Sequence, residues 1–320
     1  MRPGKASLCI PALDGLRAVS ILLVFFSHQG YEDLIPGGLG VTAFFFISGF
    51  LITNLLCAEY QKTNRLDFKG FFIRRLLRLY PALLFVLVLF SAFLLATGQR
   101  IAAAEVVAAL FYFENYYAVY FKPIAAHFSI LWSLAVEEHF YLLFPLLFIG
   151  LVRKPVLLLL TTLGFILLPL LLRIYTTSRY GIITFSEDST YYLTHCRFDS
   201  ILFGCLLSVV LQSGFRQRFL RAVSTYSGYA VGLGLLAITL FYRDECFRQT
   251  YRYSLQGVAF LFLIPPIVYS QRYRLLNASF RQTTSSGPLL GSCQLLQHLV
   301  SLRNPSTNQS LRNAPSRGVS

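Results

Sequence analysis

An all-α fold is predicted, a polytopic bundle of transmembrane helices, on three observations. Apolar runs of roughly 17 to 25 residues, the length that crosses a bilayer, recur along residues 1–276. With 55% hydrophobic residues and a mean hydropathy of +0.59, the chain carries more apolar surface than a soluble core would hide. Its basic excess, 28 Lys and Arg against 14 Asp and Glu, gathers between alternate apolar runs. Cytoplasmic loops carry such charge, so no nucleic-acid partner is needed to explain it.

The N-terminal MRPGK is basic and belongs inside by the same rule. Segment 13–30, LDGLRAVSILLVFFSHQG, then runs outward. Asp14 and Arg17 interrupt the apolar core that a cleavable signal peptide would need, so the segment is kept as a span. The loop after it, GYEDLIPGG, has two acids and no Lys or Arg. Segment 39–57 returns inward, and its Ser48-Gly49 pair would admit another helix closely. Residues 58–80 hold Lys62, Arg65, Lys69, Arg74, Arg75 and Arg78, the strongest inside-positive signal in the chain. Pro81 stands at the junction with segment 82–97, where a first-turn proline is tolerated.

Stretch 101–121 is apolar enough to enter a bilayer but includes Glu105, Glu114, Asn115 and several tyrosines. A full crossing there would put Arg153 and Lys154 outside, so the stretch is read as re-entrant or interfacial. Segments 130–151, 155–174, 198–211, 226–242 and 254–270 bring the total to about eight spans. Arg243, Arg248 and Arg252, in the last outer loop, run against the charge bias. Residues 1–276 therefore form one membrane domain. Residues 277–320 turn abruptly to Ser, Asn, Gln, Arg and Pro, the composition of a disordered cytoplasmic tail. So sharp a change also points to a shifted reading frame or truncation, with closing helices missing. Of six cysteines none forms a CxxC pair, so no metal set or disulfide framework is indicated; Cys196 and Cys246 are the one pair near outer loops.

Arg17 and His28 stand eleven residues apart on nearly one helix face, roughly 16 Å along the axis. A basic residue within such a segment usually faces a bundle interior or a water-filled cavity. Asp14 is one turn from Arg17 and can offset its charge, which leaves His28 as the titratable group at the far mouth. The plainer alternative makes Arg17 a snorkelling anchor and His28 an interfacial residue. The run FFIRRLLRLYP puts Arg74 and Arg78 one turn apart with Arg75 beside them. Guanidinium groups grip phosphates with paired donors, and equally well anchor to lipid headgroups. In HFSILWSLAVEEHFYLLFP, Glu137 and Glu138 sit within an apolar segment, near its outer half in this topology, beside His139 and Tyr141. Intramembrane carboxylates are functional candidates by default, and the alternative is a buried structural network. Adjacent glutamates point about 100° apart, so at most one shares a cavity with His28. Finally, THCRFDSILFG carries Arg197 and Asp199, either a local ion pair or an acceptor-binding pair.

Five blocks in this order, ALDGLRAVSILLVFFSH, FFFISGFLIT, RRLLRLYPA, WSLAVEEHFYLLFP and THCRFDSILFG, resemble acyltransferase family 3, membrane-bound O-acyltransferases of bacterial surface glycans. The resemblance covers roughly residues 10–276. It implies that Arg17 and His28 are the essential pair. It associates Arg74, Arg75 and Arg78 with the acyl donor, and matches Glu137 and Glu138 to the acidic block and Arg197 and Asp199 to a later Arg-x-Asp. The implied reaction moves an acyl group, with acetyl expected, from acyl-coenzyme A to a hydroxyl of a surface glycan or glycolipid. No permanently bound cofactor or metal is implied, and the expected location is the bacterial inner membrane, with lipopolysaccharide among the acceptors considered. Such transfer needs a base near pKa 7, for which histidine suits. His28 could instead carry the acyl group covalently. Two other functions fit the same residues: a transporter or flippase using them as a substrate or proton path, and an inactive relative acting as a membrane partner. A transporter would show paired broken helices or internal symmetry, which the sequence lacks.

Overall fold

The structure, a computed structural model, describes residues 11–31, 34–121, 127–182 and 184–269, and all elements among them are helical. The polar tail expected at 277–320 lies outside the described residues. The chain divides into two units, Leu16–Ile267 and a second made of Met1–Gly15 with Val268–Ser320. The described part of the second is the opening of the first helix and the last residues of the final one.

Thirteen α-helices are described: α1 (Pro11–Phe26), α2 (Gly37–Thr63), α3 (Phe68–Ala96), α4 (Ala103–Leu110), α5 (Glu114–Phe121), α6 (Trp132–Leu151), α7 (Pro155–Tyr180), α8 (Thr184–Tyr192), α9 (Thr194–Gln212), α10 (Arg216–Val223), α11 (Tyr226–Phe241), α12 (Glu245–Gln249) and α13 (Arg252–Tyr269). Local chemistry sets several ends. Asn64 closes α2 in the left-handed conformation, φ +52°, with its N–H donating to Tyr60 O. Asp67 caps α3 by accepting from Gly70 N at 2.9 Å, and Thr225 caps α11 by accepting from Gly228 N at 3.1 Å. Pro155 opens α7 at its first position.

Five helices, α2, α3, α6 (with the turn before it), α7 and α9 (with the end of α8), are long and apolar enough to cross a membrane. The α10–α11 pair, bent by 72°, makes up to six. The protein is thus a multi-pass membrane protein; about eight spans were expected, and among the described residues five or six helices have crossing length. The difference lies in α1, with 16 residues, and in α13, whose apolar part is short. The cationic stretch expected to precede a helix at Pro81 is instead the first half of α3, a single 29-residue helix continuing through Pro81. A proline there forfeits one backbone hydrogen bond without ending the helix. Stretch 101–121 divides at Tyr112, φ +61°, into α4 and α5, each about 12 Å long.

α9 is the central helix, 83% buried over its spanning window, and α2 packs along it at 61%. By contrast α3 and α7, at 17% and 22%, present Phe85, Val88, Leu89, Leu160 and Leu167 outward, as lipid-facing helices do. The α2–α9 seam depends on two glycines. A Cβ at Gly49 would fall on the Ile201 carbonyl, and one at Gly204 on the Phe46 carbonyl. Both obstacles are helix backbone and cannot rotate away. Gly204→Val is therefore expected to cost at least the upper part of the 1–3 kcal/mol typical of overpacking, about 3 kcal/mol. Thermal unfolding in detergent checks this, with Gly234→Ala, where nothing lies within 4 Å of the added methyl, as control. A Gly204→Val protein melting with the control would show that the helices are not in this contact.

Candidate active site

Two separated sites emerge at the two ends of α1. At its cationic end α1 carries Arg17, and the helix runs antiparallel to α2. Ser27 lies over Gly37, the Ser20 carbonyl over Gly40, and the Arg17 guanidinium 5.4 Å from the Phe44 ring centroid. Here α3 and α6 add the remaining groups. Glu137 is 7% exposed, and the charges of Arg75 and Arg17 both bear on it. Arg75 also reaches Glu138, Nη2 to Oε1 3.4 Å, and its Cζ sits 3.2 Å from the Tyr141 ring centroid. The Ser48 hydroxyl faces Glu137 and Tyr141 from α2. Yet Ser48 Oγ, Glu137 Oε1, Arg75 Nε and Arg17 Nε are buried without a hydrogen-bond partner within 3.5 Å among the described residues. Buried polar atoms rarely stay unpaired, so this knot of two cations and two carboxylates has capacity left for a ligand or water.

The arginine trio does not act as one unit. Arg74 turns back to Asp67, 3.8 Å away at the start of α3, and Arg78 is exposed; Arg75 alone faces the carboxylates. Asp14 lies exposed in the opening turn of α1.

His28 stands just past the other end of α1. The backbone leaves helical geometry at Gln29 and at Gly30, φ +85°, a turn that glycine makes without strain. His28 is exposed, and its Nδ1 lies 3.0 Å from Val24 O. A carbonyl only accepts, so Nδ1 donates this bond, and Nε2 is the nitrogen left to take a proton. Beside it, Ser27 lines a cavity of about 490 Å³ between the start of α2 and the α8, α11, α12 and α13 ends. Arg17 and His28 are thus assigned to different ends of the helix rather than to one cluster.

The local Arg197–Asp199 ion pair is corrected. Asp199, fully buried, is held by Arg173 of α7 through Nη1–Oδ1 at 3.1 Å and Nη2–Oδ2 at 2.7 Å, and by the Ser254 hydroxyl at 2.6 Å. Arg173 further donates to Thr250 O and Cys196 O. Residues two apart on a helix point about 200° apart, so Arg197 faces away from Asp199. It is caged by rings, with its Cζ 3.8 Å from the Tyr253 centroid, 5.5 Å from Tyr191, and 5.8 Å from both Trp132 and Phe45. Its Nη2 donates to Thr42 Oγ1 at 3.2 Å. Arg173 was missed because it closes an apolar run and looks like an end anchor; its intramembrane charge was the available signal.

A further polar group ties α5, α6 and α9. Thr194 Oγ1 lies 2.8 Å from both Asn115 Nδ2 and His139 Nδ1, and the Tyr116 hydroxyl lies 3.2 Å from His195 Nδ1. His139 therefore serves this group and not the Glu137 knot. Neighbouring Glu114 is fully buried, and desolvation, then the charge of Glu105, raises its carboxyl to about 8. Among the described residues no group of three His, Cys, Asp or Glu side chains is placed to hold a metal ion.

The chain is 36% identical over 214 residues to an O-acetyltransferase OatA of Staphylococcus aureus (strain NCTC 8325 / PS 47), covering 63% of this chain and 34% of the relative. It is 35% identical over 214 residues to the peptidoglycan O-acetyltransferase OatA of Listeria monocytogenes, with the same coverage. A putative O-acetyltransferase of S. aureus (strain COL) is 36% identical over 213 residues, covering 62% of this chain and 34% of the relative. The chain thus spans about a third of the length of the curated relatives it matches. No solved structure matches it significantly. The family described as an acyltransferase domain matches residues 10–277, taking in α1, both sites and every described span. The chain belongs to this family of acyltransferases, acyltransferase family 3.

Proposed function

We propose that the chain moves an acyl group, acetyl by analogy with the relatives' names, from acyl-coenzyme A at the cationic end to a glycan hydroxyl at the outer end. The observation that carries this reading is the separation of the two sites along α1. A charge-rich knot with spare hydrogen-bonding capacity lies at one end, and at the other an exposed histidine follows directly on a serine that lines a cavity. The knot suits the phosphates and thioester arm of the donor, with Arg75 as the gripping group and Arg17 along the arm's path. At the outer end, His28 Nε2 takes the hydroxyl proton as the oxygen attacks the thioester carbonyl. The C–S bond breaks, and the imidazolium returns the proton to the departing thiolate. If His28 instead carries the acyl group first, the same nitrogen attacks the thioester carbonyl and coenzyme A leaves as the thiolate; the sugar oxygen then attacks the acyl-imidazole, the neutral imidazole departs, and the hydroxyl proton passes to water. The peptidoglycan named for the Listeria relative and other bacterial surface glycans are the acceptor class proposed here.

Membranes containing the chain, supplied with labelled acyl-coenzyme A and surface polysaccharide, are expected to form labelled ester. Label crossing the membrane without ester would favour a transporter. Within the donor site, Arg75→Ala is expected to raise the apparent donor KM by about tenfold, as loss of one charged hydrogen-bond partner does. Arg74→Ala and Arg78→Ala, whose side chains face away from the knot, should change it less than threefold. Equal effects of the three substitutions in steady-state kinetics would return Arg75 to an anchoring role.

A further inference from the structure

The three outer arginines that run against the charge bias, Arg243, Arg248 and Arg252, all line the 490 Å³ cavity beside Ser27. That volume falls within the range of about 300–1,000 Å³ typical of small-ligand sites. Anchors for lipid headgroups would spread over a convex rim, whereas these converge on a concave wall. Two acids share the wall, Asp188 and Glu245, but Glu245 holds Arg248 at 2.6 Å and the two offset each other. Among the described residues no carboxylate lies within 4.0 Å of Arg243 or Arg252. Arg252 donates one Nη2 bond to the Tyr253 hydroxyl at 2.8 Å, and its Nε is buried without a partner. Across the wall, Gln256 Oε1 is a buried acceptor without a donor. Tyr191 lines the cavity with the Arg197 guanidinium 5.5 Å from its ring centroid, while Tyr253 is buried, its ring 3.8 Å from Arg197 Cζ and 4.9 Å from Arg252 Cζ.

A tyrosine ring, an unfilled donor, an unfilled acceptor and a wall with three arginines against two acids are the complement of a sugar that bears a negative charge. Aromatic faces take the C–H face of a pyranose, amides take its hydroxyls, and guanidinium takes a carboxylate or phosphate with paired donors. We infer that this cavity binds the acceptor, and that the acceptor is an anionic saccharide unit. Arg252 and Arg243 hold its charge, Tyr191 lies under its ring, and Gln256 meets a hydroxyl. Ser27 on the wall is the residue before His28 in the chain. The inference uses the proposed acyl transfer only to name the ligand an acceptor; binding itself does not depend on it.

The single tryptophan supplies the readout. Trp132 lies 4.8 Å from the Tyr191 ring and 5.3 Å from that of Tyr192, both on the cavity wall, so its fluorescence reports occupancy. The purified full chain in detergent is titrated with glucuronate, glucose 6-phosphate and glucose at constant ionic strength. Saturable changes are expected with an anionic sugar at an apparent Kd at least tenfold below that for glucose, which is about 1.4 kcal/mol. Whichever anion is preferred identifies carboxylate or phosphate as the recognised group. Arg252→Gln should erase the preference and Arg252→Lys should keep most of it, with thermal melting confirming that both fold. Equal response to all three sugars, or a preference unchanged in both Arg252→Gln and Arg243→Gln, overturns the inference. Ester formation without any anionic preference removes this site and leaves the transfer reading standing. Anionic preference in a protein that forms no ester does the reverse.

Discussion

Replacing His28 with alanine or glutamine is expected to lower ester formation by at least a hundredfold while leaving the protein's abundance and melting temperature unchanged. General acid–base groups contribute about 10²–10⁴-fold, and the lower bound is taken because water in an open mouth can accept part of the proton. Stability is spared because the side chain is exposed and makes a single bond, to the Val24 carbonyl one turn back. Glutamine can copy that bond but not the basic nitrogen, so it separates positioning from proton transfer. Rates are read as labelled ester per unit of protein in membranes. Full activity in His28→Ala would remove the residue from the mechanism. Loss of abundance equal to the loss of activity would make its role structural.

Asp199→Ala is expected to be the most destabilising single change in the bundle, at about 3–5 kcal/mol. The reason is Arg173. Both side chains are fully buried, and removing the carboxylate strands a guanidinium among Thr250 O, Cys196 O and Ser254 Oγ, which cannot neutralise it. Breaking one half of a buried pair costs more than the pair contributes, because the remaining charge has lost its water as well as its partner. The Asp199→Leu, Arg173→Met double substitution is therefore expected to recover most of the loss. Melting curves in detergent and steady-state abundance measure both. An Asp199→Ala protein as stable as the parent would mean that Arg173 reaches solvent or a different carboxylate.

How far the sequence reveals these sites depends on the kind of signal each residue carries. Helices and the membrane class were legible because apolar runs of bilayer length have few other uses. Ser48-Gly49 was legible as a close approach, and Gly49 does meet the Ile201 backbone. Glu137 and Glu138 were legible as buried carboxylates, because a carboxylate in an apolar run needs a partner. Which cation supplies that partner was not: Arg75 rather than Arg74 or Arg78 follows from the rotation of α3 against α6, which spacing along α3 alone does not determine. Pro81 misled because a proline commonly marks a helix start, whereas here the helix tolerates it. Arg197 and Asp199 misled through their nearness in sequence; two residues apart on a helix they face apart, and Asp199 finds Arg173 26 positions away. The outer arginines looked like exceptions to a topology rule until the fold gathered them around one cavity.

Donor and acceptor are proposed to meet the protein from opposite ends of α1. Sealed vesicles of both orientations test it most directly, with labelled acyl-coenzyme A supplied outside and glycan acceptor trapped inside, or the reverse. Ester is expected only when the donor is on the face bearing Arg75 and the acceptor on the face bearing the Ser27-lined cavity. Ester formed with donor and acceptor on the same face, or in both orientations alike, would contradict the two-ended site.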